Sequence, residues 1–407
     1  MKERIIKGFN LNEEVRFITD HIFNNVLIIG DPHIYNARPG RRRDESFLDT
    51  ILDKMNQAKE IANKNNAYVL ITGDFFHTKT IEIKSEFLNK IIKVMKGFKF
   101  KPLVLSGNHE KSEWAITDKD ALSILKNTDL VDVIDGNELF GKIKVEKDGV
   151  INEIAIGGTC FGETIPYDLT EFLEMEGGKS FRDEEEIQIY KEEEKKQKGN
   201  KIILISKSAK EFSDVDLHKK IKQRIKADKV IWMTHHDLVF GENYPYSRPL
   251  HPIDGVDIVI NGHMHNYKKP VKKDLTQFYN PGNIVRLKID EIDNIPSVWL
   301  YNPINNEYEE DVVGNKVEKI QQIILKYKNS EEVFNLEGKN IVASQKDIII
   351  DSSNFINLML NETIQDKTDE AVFIKEVLDS EKENLSTPTY NYILNLLSEV
   401  VEMNIKK

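Results

Sequence analysis

The sequence predicts an α/β fold, a β-sandwich flanked by helices, and two observations carry that prediction. Short apolar runs of strand character alternate with stretches of helical period over the first 260 residues. Five of these runs end in side chains that bind metals, as expected where strand ends converge on one edge of a sheet.

Taken in order, Asn25–Gly30 (NVLIIG) reads as a buried strand. Phe47, Leu48, Ile51, Leu52, Met55, Ala58, Ile61 and Ala62 then recur at helical spacing. Ala67–Thr72 (AYVLIT) is the next strand, Phe87 to Met95 a second helix, and Pro102–Ser106 (PLVLS) a third strand. Later strands are Glu153–Gly158, Lys229–Thr234 and Val256–Gly262. The alternation breaks between Glu163 and Asp228, where FRDEEEIQIYKEEEKKQKGNK is a dense mixed-charge run; a solvated helix or flexible insertion is the plain reading, a specific interaction surface the other. PSVWLYN and NEYEEDVV read as strands and KVEKIQQIILKYK as a helix.

These features divide the chain into an extension (1–24), a main domain (25–314) carrying the insertion 163–228, a smaller α+β capping module (315–368) and a helix–loop–helix (369–407). In the last segment Thr387 is placed as N-cap with Pro388 at the first helical position. The stripe Ile393, Leu396, Leu397, Val400 and Met403 would pack in a core or bind a partner.

Composition sets the outer bounds. The chain is 40% hydrophobic and 31% charged, with no run of eighteen apolar residues, which excludes a spanning helix. The N-terminal MKERIIKGFNLNEEVRF lacks an apolar leader region, and Cys160 is the only cysteine, so a reducing, cytoplasmic setting is expected. A net charge of −11 weighs against indiscriminate nucleic-acid binding but leaves room for a local basic patch.

The chemistry lies in GDPH (Gly30–His33), GDFFH (Gly73–His77), GNHE (Gly107–Glu110), THHD (Thr234–Asp237) and GHMH (Gly262–His265). Seven of the ten histidines fall in these segments; His21, His218 and His251 are read as ordinary. Asp31, His33, Asp74, Asn108, His235, His263 and His265 would then supply oxygen and nitrogen ligands to two divalent cations, with His236 the alternative to His235. The alternating His-x-His places both imidazoles on one side of an extended segment, so each can reach one of two adjacent metals. Such a pair of cations polarises a phosphate and activates water. Mixed imidazole and carboxylate ligation suits manganese, iron or zinc better than magnesium or calcium.

These five motifs resemble those of the calcineurin-like metallophosphoesterases. Within that superfamily the chain resembles the SbcD-type DNA nuclease subunit, the bacterial and phage counterpart of the eukaryotic meiotic-recombination-eleven nuclease. GDFFH carries a histidine three residues after the aspartate, as in that nuclease, where phosphoprotein phosphatases have Asp-Arg-Gly. DPHIYNARPGRRRDESFLDTIL resembles its first loop, and YNPGNIVRL (Tyr279–Leu287) its Tyr-x-Gly-Ser-x-x-Arg strand. The likeness covers Val26–Gly162 and Lys229–Leu300.

The resemblance implies one metal on Asp31, His33 and His265, a second on Asn108, His235 and His263, and Asp74 bridging them, with Mn²⁺ the expected ion. It implies that His109 stabilises the phosphate and that His77 contacts the scissile phosphodiester; support of a metal ligand is the other reading of His77. It also implies a homodimer and an SbcC-type coiled-coil ATPase partner, docked on 369–407. Arg38, Arg41, Arg42 and Arg43 would contact the DNA backbone, or else belong to a solvated loop. Departures are Glu110 for the commoner Asp, Asn283 for Ser, the extension before the first motif strand, and the charged insertion. A small-molecule or phosphoprotein phosphatase would keep the same metal logic, and a non-catalytic member of the fold is the third possibility.

Overall fold

The computed structural model describes residues 15–80, 85–113, 115–173, 214–241, 247–305, 307–326 and 333–335. Two sheets make up the sandwich. The first has the order β15 (Gln321–Ile324), β12 (Ser297–Tyr301), β2 (Asn25–Ile29), β3 (Ala67–Ile71), β4 (Leu103–Leu105) and β5 (Asp132–Ile134). The second has the order β1 (Phe17–Phe23), β6 (Asn137–Lys147), β7 (Val150–Thr159), β8 (Lys229–His235), β9 (Ile258–Gly262), β11 (Thr276–Asn280) and β10 (Lys268–Lys273). Strands β2 to β5 run parallel, and so do β7, β8 and β9.

Side-chain alternation along each strand divides the core into layers. In β2, Val26 and Ile28 join Leu70, Ile231, Met233 and Ile260 between the sheets. Leu27 and Ile29 turn the other way, against Phe47, Ile51 and Met55 of α1 (Phe47–Lys64). In β8, Val230 and Trp232 likewise face out, toward Leu217, Ile221 and Ile225 of α4 (Asp214–Ile225). These α4 residues recur every four positions, which makes one apolar stripe. The result is a helix–sheet–sheet–helix sandwich whose parallel strands send their C-terminal ends to the same edge.

Helix α1 starts where expected because Ser46 caps it, its side chain accepting from the Asp49 N–H at 3.1 Å. Two local expectations fail. Helix α4 lies inside the stretch grouped with the charged insertion, because its sparse stripe is diluted by Lys and Arg on the outer face. The segment KVEKIQQIILKYK holds no helix among its described residues. It forms β14 (Lys316–Glu318), paired with β13 (Tyr308–Glu310), and then β15, paired antiparallel with β12. Val317, Ile320 and Ile323 imitate helical spacing only because the strand phase resets at Lys319. Tertiary contacts fix that reset, with Tyr301 Oη donating to Glu318 at 2.6 Å and Tyr279 Oη to the Glu318 carbonyl at 2.6 Å. The extension contains β1, which pairs with β6. The helix–loop–helix 369–407, and the capping module apart from 315–326 and 333–335, lie outside the described residues. No helix among the described residues is long and apolar enough to cross a membrane.

Candidate metal centre

All seven sequence-predicted ligands meet at the shared edge. Asp31 and His33 follow β2, Asp74 follows β3, Asn108 follows β4, His235 ends β8, and His263 and His265 follow β9. The turns are tight. His33, Asp74 and His263 hold left-handed φ values of 47°, 43° and 69°, unusual for side chains of this size. Such strain persists where surrounding bonds fix the backbone. Here the His33 N–H donates to the Asp74 carbonyl at 2.8 Å, and the His263 N–H to Asp31 Oδ2 at 2.7 Å. The latter bond ties the two sheets together at the site. Gly73 is required twice over: its φ is 124°, and a Cβ there would meet His235 Nδ1 at 2.2 Å. A Cβ at Gly107 would likewise strike Asp74 Oδ1 at 2.2 Å.

Two carboxylate-containing constellations emerge beside a cluster of His33, His77 and His109, each with candidate ligand atoms within 4.8 Å of one another. The first is Asp31, His33, Asp74 and His265; the second is Asp74, His235 and His263. Asn108 completes the second, its Oδ1 lying 3.1 Å from His235 Nε2 and 3.1 Å from His263 Nδ1. Asp74 belongs to both groups, which is the geometry of a bridging carboxylate. Its Oδ2 stands 3.2 Å from His235 Nε2 and 3.6 Å from His33 Nε2. One feature departs from expectation. His263 to His265 is a turn rather than an extended segment, and the Met264 N–H bonds back to the Gly262 carbonyl at 2.8 Å.

The donor set fits a pair of cations, because the outward ring nitrogens are also engaged. His235 Nδ1 donates to the Thr72 carbonyl at 2.9 Å, and His265 Nδ1 to Glu291 Oε1 at 2.7 Å. Such partners fix the tautomer and aim the remaining lone pair at the centre. Electrostatics divide the four imidazoles: burial would lower His265, but Glu291 outweighs it and raises it. Burial, reinforced by the neighbouring imidazoles His265, His109 and His77, holds His33 well below the ordinary histidine range, although Asp74 opposes it. Burial and then His235 lower His263. Neutral imidazoles are what a cation requires. His235 goes the other way: burial would depress it, but Asp74 and Asp31 push it up to about 10. His236 belongs to neither constellation; burial lowers it to about 3, and its Nε2 lies 3.0 Å from the Glu163 carbonyl.

Comparison with known proteins agrees with this geometry. The sequence profile of the calcineurin-like phosphoesterases matches residues 25–267, more than half of the 407. The chain belongs to the calcineurin-like phosphoesterase family. The family points to a metal-dependent hydrolase of phosphate esters, and the two constellations are candidate sites for divalent ions. No curated protein matches the chain. Among solved structures, it is similar to an NAD nucleotidase from Haemophilus influenzae at 13% identity and a TM-score of 0.32, covering 80% of this chain and 60% of that one. A dimetal phosphatase from Danio rerio matches at 11% identity and 0.36, covering 75% of this chain and 100% of that one. A 5′-nucleotidase precursor from Thermus thermophilus matches at 14% and 0.35, covering 80% and 59%. The phosphoesterase thus spans about three fifths of the length of the two nucleotidases.

Two buried carboxylates of the phosphoesterase escaped functional notice in the sequence. Glu291 orients His265, and nothing in the spacing after YNPGNIVRL marks it. Glu110, seen only as an unusual spelling of GNHE, is 1% exposed and accepts from three backbone N–H groups. These are Gly107 at 2.7 Å, Asp74 at 3.0 Å and Phe76 at 3.1 Å. Burial, with Asp74 adding to it, pushes the Glu110 carboxyl up to about 8. The residue binds the β3 and β4 turns together and sets the backbone of the bridging aspartate. Glu110→Ala would leave three buried donors without an acceptor. A loss of about 3 kcal/mol or more is expected, read as a lower denaturation midpoint, with Glu110→Gln less affected.

The arginine loop divides in the structure. Arg42 is buried at 3% exposure, so it is not the solvent-facing phosphate contact expected of it. Its Nε donates to Asp44 Oδ1 at 3.0 Å, another nitrogen reaches the Arg286 carbonyl, and the guanidinium lies 4.7 Å from the Phe47 ring centre. The planar fork and apolar stem are used internally, as buried arginines commonly are. Arg38, Arg41 and Arg43 are exposed. The three histidines read as ordinary have structural partners: Asn66 for His21, the Gly255 N–H for His218, and the Tyr167 ring for His251.

Proposed function

We propose that this phosphoesterase is a Mn²⁺-dependent DNA exonuclease or endonuclease, the nuclease subunit of an SbcCD-like repair complex. The observation that supports it is the array around His77. The His77 ring stacks on His109 at 5.3 Å and 25°, and its Nδ1 lies 3.3 Å from His33 Nδ1. The histidine after two phenylalanines therefore stands beside the centre, where a diester passing over the metals would meet it. Phe75 and Phe76, both fully buried, hold the turn from below.

Divalent ions on the two constellations, when bound, polarise the phosphate and lower the pKa of water. The protein's own part falls to the two histidines. His109 Nδ1 donates to the His77 carbonyl, which fixes the ring and leaves Nε2 for a phosphate oxygen. Its backbone N–H donates to Asp74 Oδ1 at 2.9 Å, coupling it to the bridge. Burial and then His109 lower the pKa of His77. One ring nitrogen of His77 steadies His33, and the other is available to the ester. Arg38, Arg41 and Arg43 supply positive charge for the DNA backbone.

His77→Ser is expected to slow cleavage of Mn²⁺-loaded linear DNA about a hundredfold, while hydrolysis of p-nitrophenyl phosphate falls much less. Equal losses on both substrates would reduce His77 to a support for His33. A homodimer and docking of an SbcC-type ATPase on 369–407 belong to the same proposal. Retention of the ATPase by a chain ending before Asp369 would remove that docking site.

A further inference from the structure

Phe161 is a large apolar side chain standing 38% exposed beside the second constellation. A scattered surface phenylalanine needs no explanation, but this one lies over metal ligands. Its ring centre is 5.3 Å from that of His263 and 6.3 Å from that of His235. It lies 6.3 Å from His236 with the planes only 28° apart.

The backbone beneath it is held on every side. The Cys160 N–H donates to the Gly136 carbonyl at 3.0 Å, and the Phe161 N–H to the Ser106 carbonyl at 3.3 Å. Ser106 immediately precedes the GNHE turn. The Glu163 N–H closes back on the Cys160 carbonyl at 3.2 Å, across Gly162 at a φ of 87°. The Glu163 carbonyl in turn meets His236 Nε2 at 3.0 Å and Arg248 at 3.4 Å. A turn this constrained presents its aromatic face in a fixed place, and does so without burying it.

We infer that Phe161 is a stacking platform for the nucleobase next to the scissile phosphate, on the His263 side of the centre. The inference rests on the nuclease reading above and deepens it. Every base has a π-face, so such a platform binds nucleotides without selecting sequence. A base is the nearest flat group to a phosphate held at the metals, and the exposed face of Phe161, backed by the buried His236 ring, is the surface available to it.

The test uses the full chain with Mn²⁺ and end-labelled oligothymidylate, intact or with one tetrahydrofuran abasic unit at successive positions. Phe161→Ala is expected to lower kcat/KM about tenfold, and Phe161→Trp to retain activity. An abasic unit at one position flanking the cut should cost wild type a similar factor and cost Phe161→Ala nothing more. Phe161→Ala cutting like wild type, or losses that multiply, would overturn the inference. If wild type leaves the oligonucleotide intact, the nuclease reading fails on its own. Phe161 is then scored on thymidine monophosphate against ribose 5-phosphate: a preference lost in Phe161→Ala sustains the platform, and one unchanged overturns it. Quenching of Phe161→Trp emission by oligothymidylate, relative to wild type, gives a readout independent of turnover, and no extra quenching counts against the platform.

Discussion

Asp74→Asn is expected to lower phosphoester hydrolysis by at least about a thousandfold, because it removes the one carboxylate common to both constellations. The loss follows from geometry rather than from folding. Asp74 Oδ2 faces His235 Nε2 at 3.2 Å and His33 Nε2 at 3.6 Å, so an amide there withdraws negative charge from both halves at once. The Asp74 N–H to Glu110 and the His109 N–H to Oδ1 are bonds that asparagine can keep. Elemental analysis after Mn²⁺ loading should therefore show fewer than two ions per chain while the melting transition remains cooperative. Full metal content with full activity would remove Asp74 from the bridge.

His109→Ala tests the other half of the chemistry. A loss of about 10²–10⁴-fold in kcat is expected, with Mn²⁺ content unchanged at two ions per chain. His109 appears beside His33 and His77 in a histidine cluster but in neither of the carboxylate-containing ones. Its ring stands edge-on to His33 at 5.1 Å. A drop in bound metal equal to the drop in rate would make His109 a ligand instead. Unchanged rate would exclude it from the reaction.

That the seven candidate ligands would cluster was legible in the sequence because each follows or ends a strand whose apolar run is unmistakable, and parallel strands deliver their ends to one edge. The conformation that makes them ligands was not. Left-handed backbone at His33, Asp74 and His263 depends on cross-strand bonds such as His263 N–H to Asp31, which join residues far apart in the chain. Glu110 and Glu291 were hidden for the same reason: their roles are to backbone and ring atoms on other elements. Arg42 reads as a surface cation until Arg286 and Phe47 are placed around it. The strands β14 and β15 were misread because three apolar residues at helical spacing outweigh a phase reset that tertiary partners such as Gln277, Tyr279 and Tyr301 impose.

Incubation of the chain with linear duplex and single-stranded DNA, in Mn²⁺ and in excess chelator, tests the central claim most directly. The account predicts strand scission in Mn²⁺ that chelator and Asp74→Asn both abolish. Intact DNA alongside steady release of p-nitrophenol from p-nitrophenyl phosphate would contradict it.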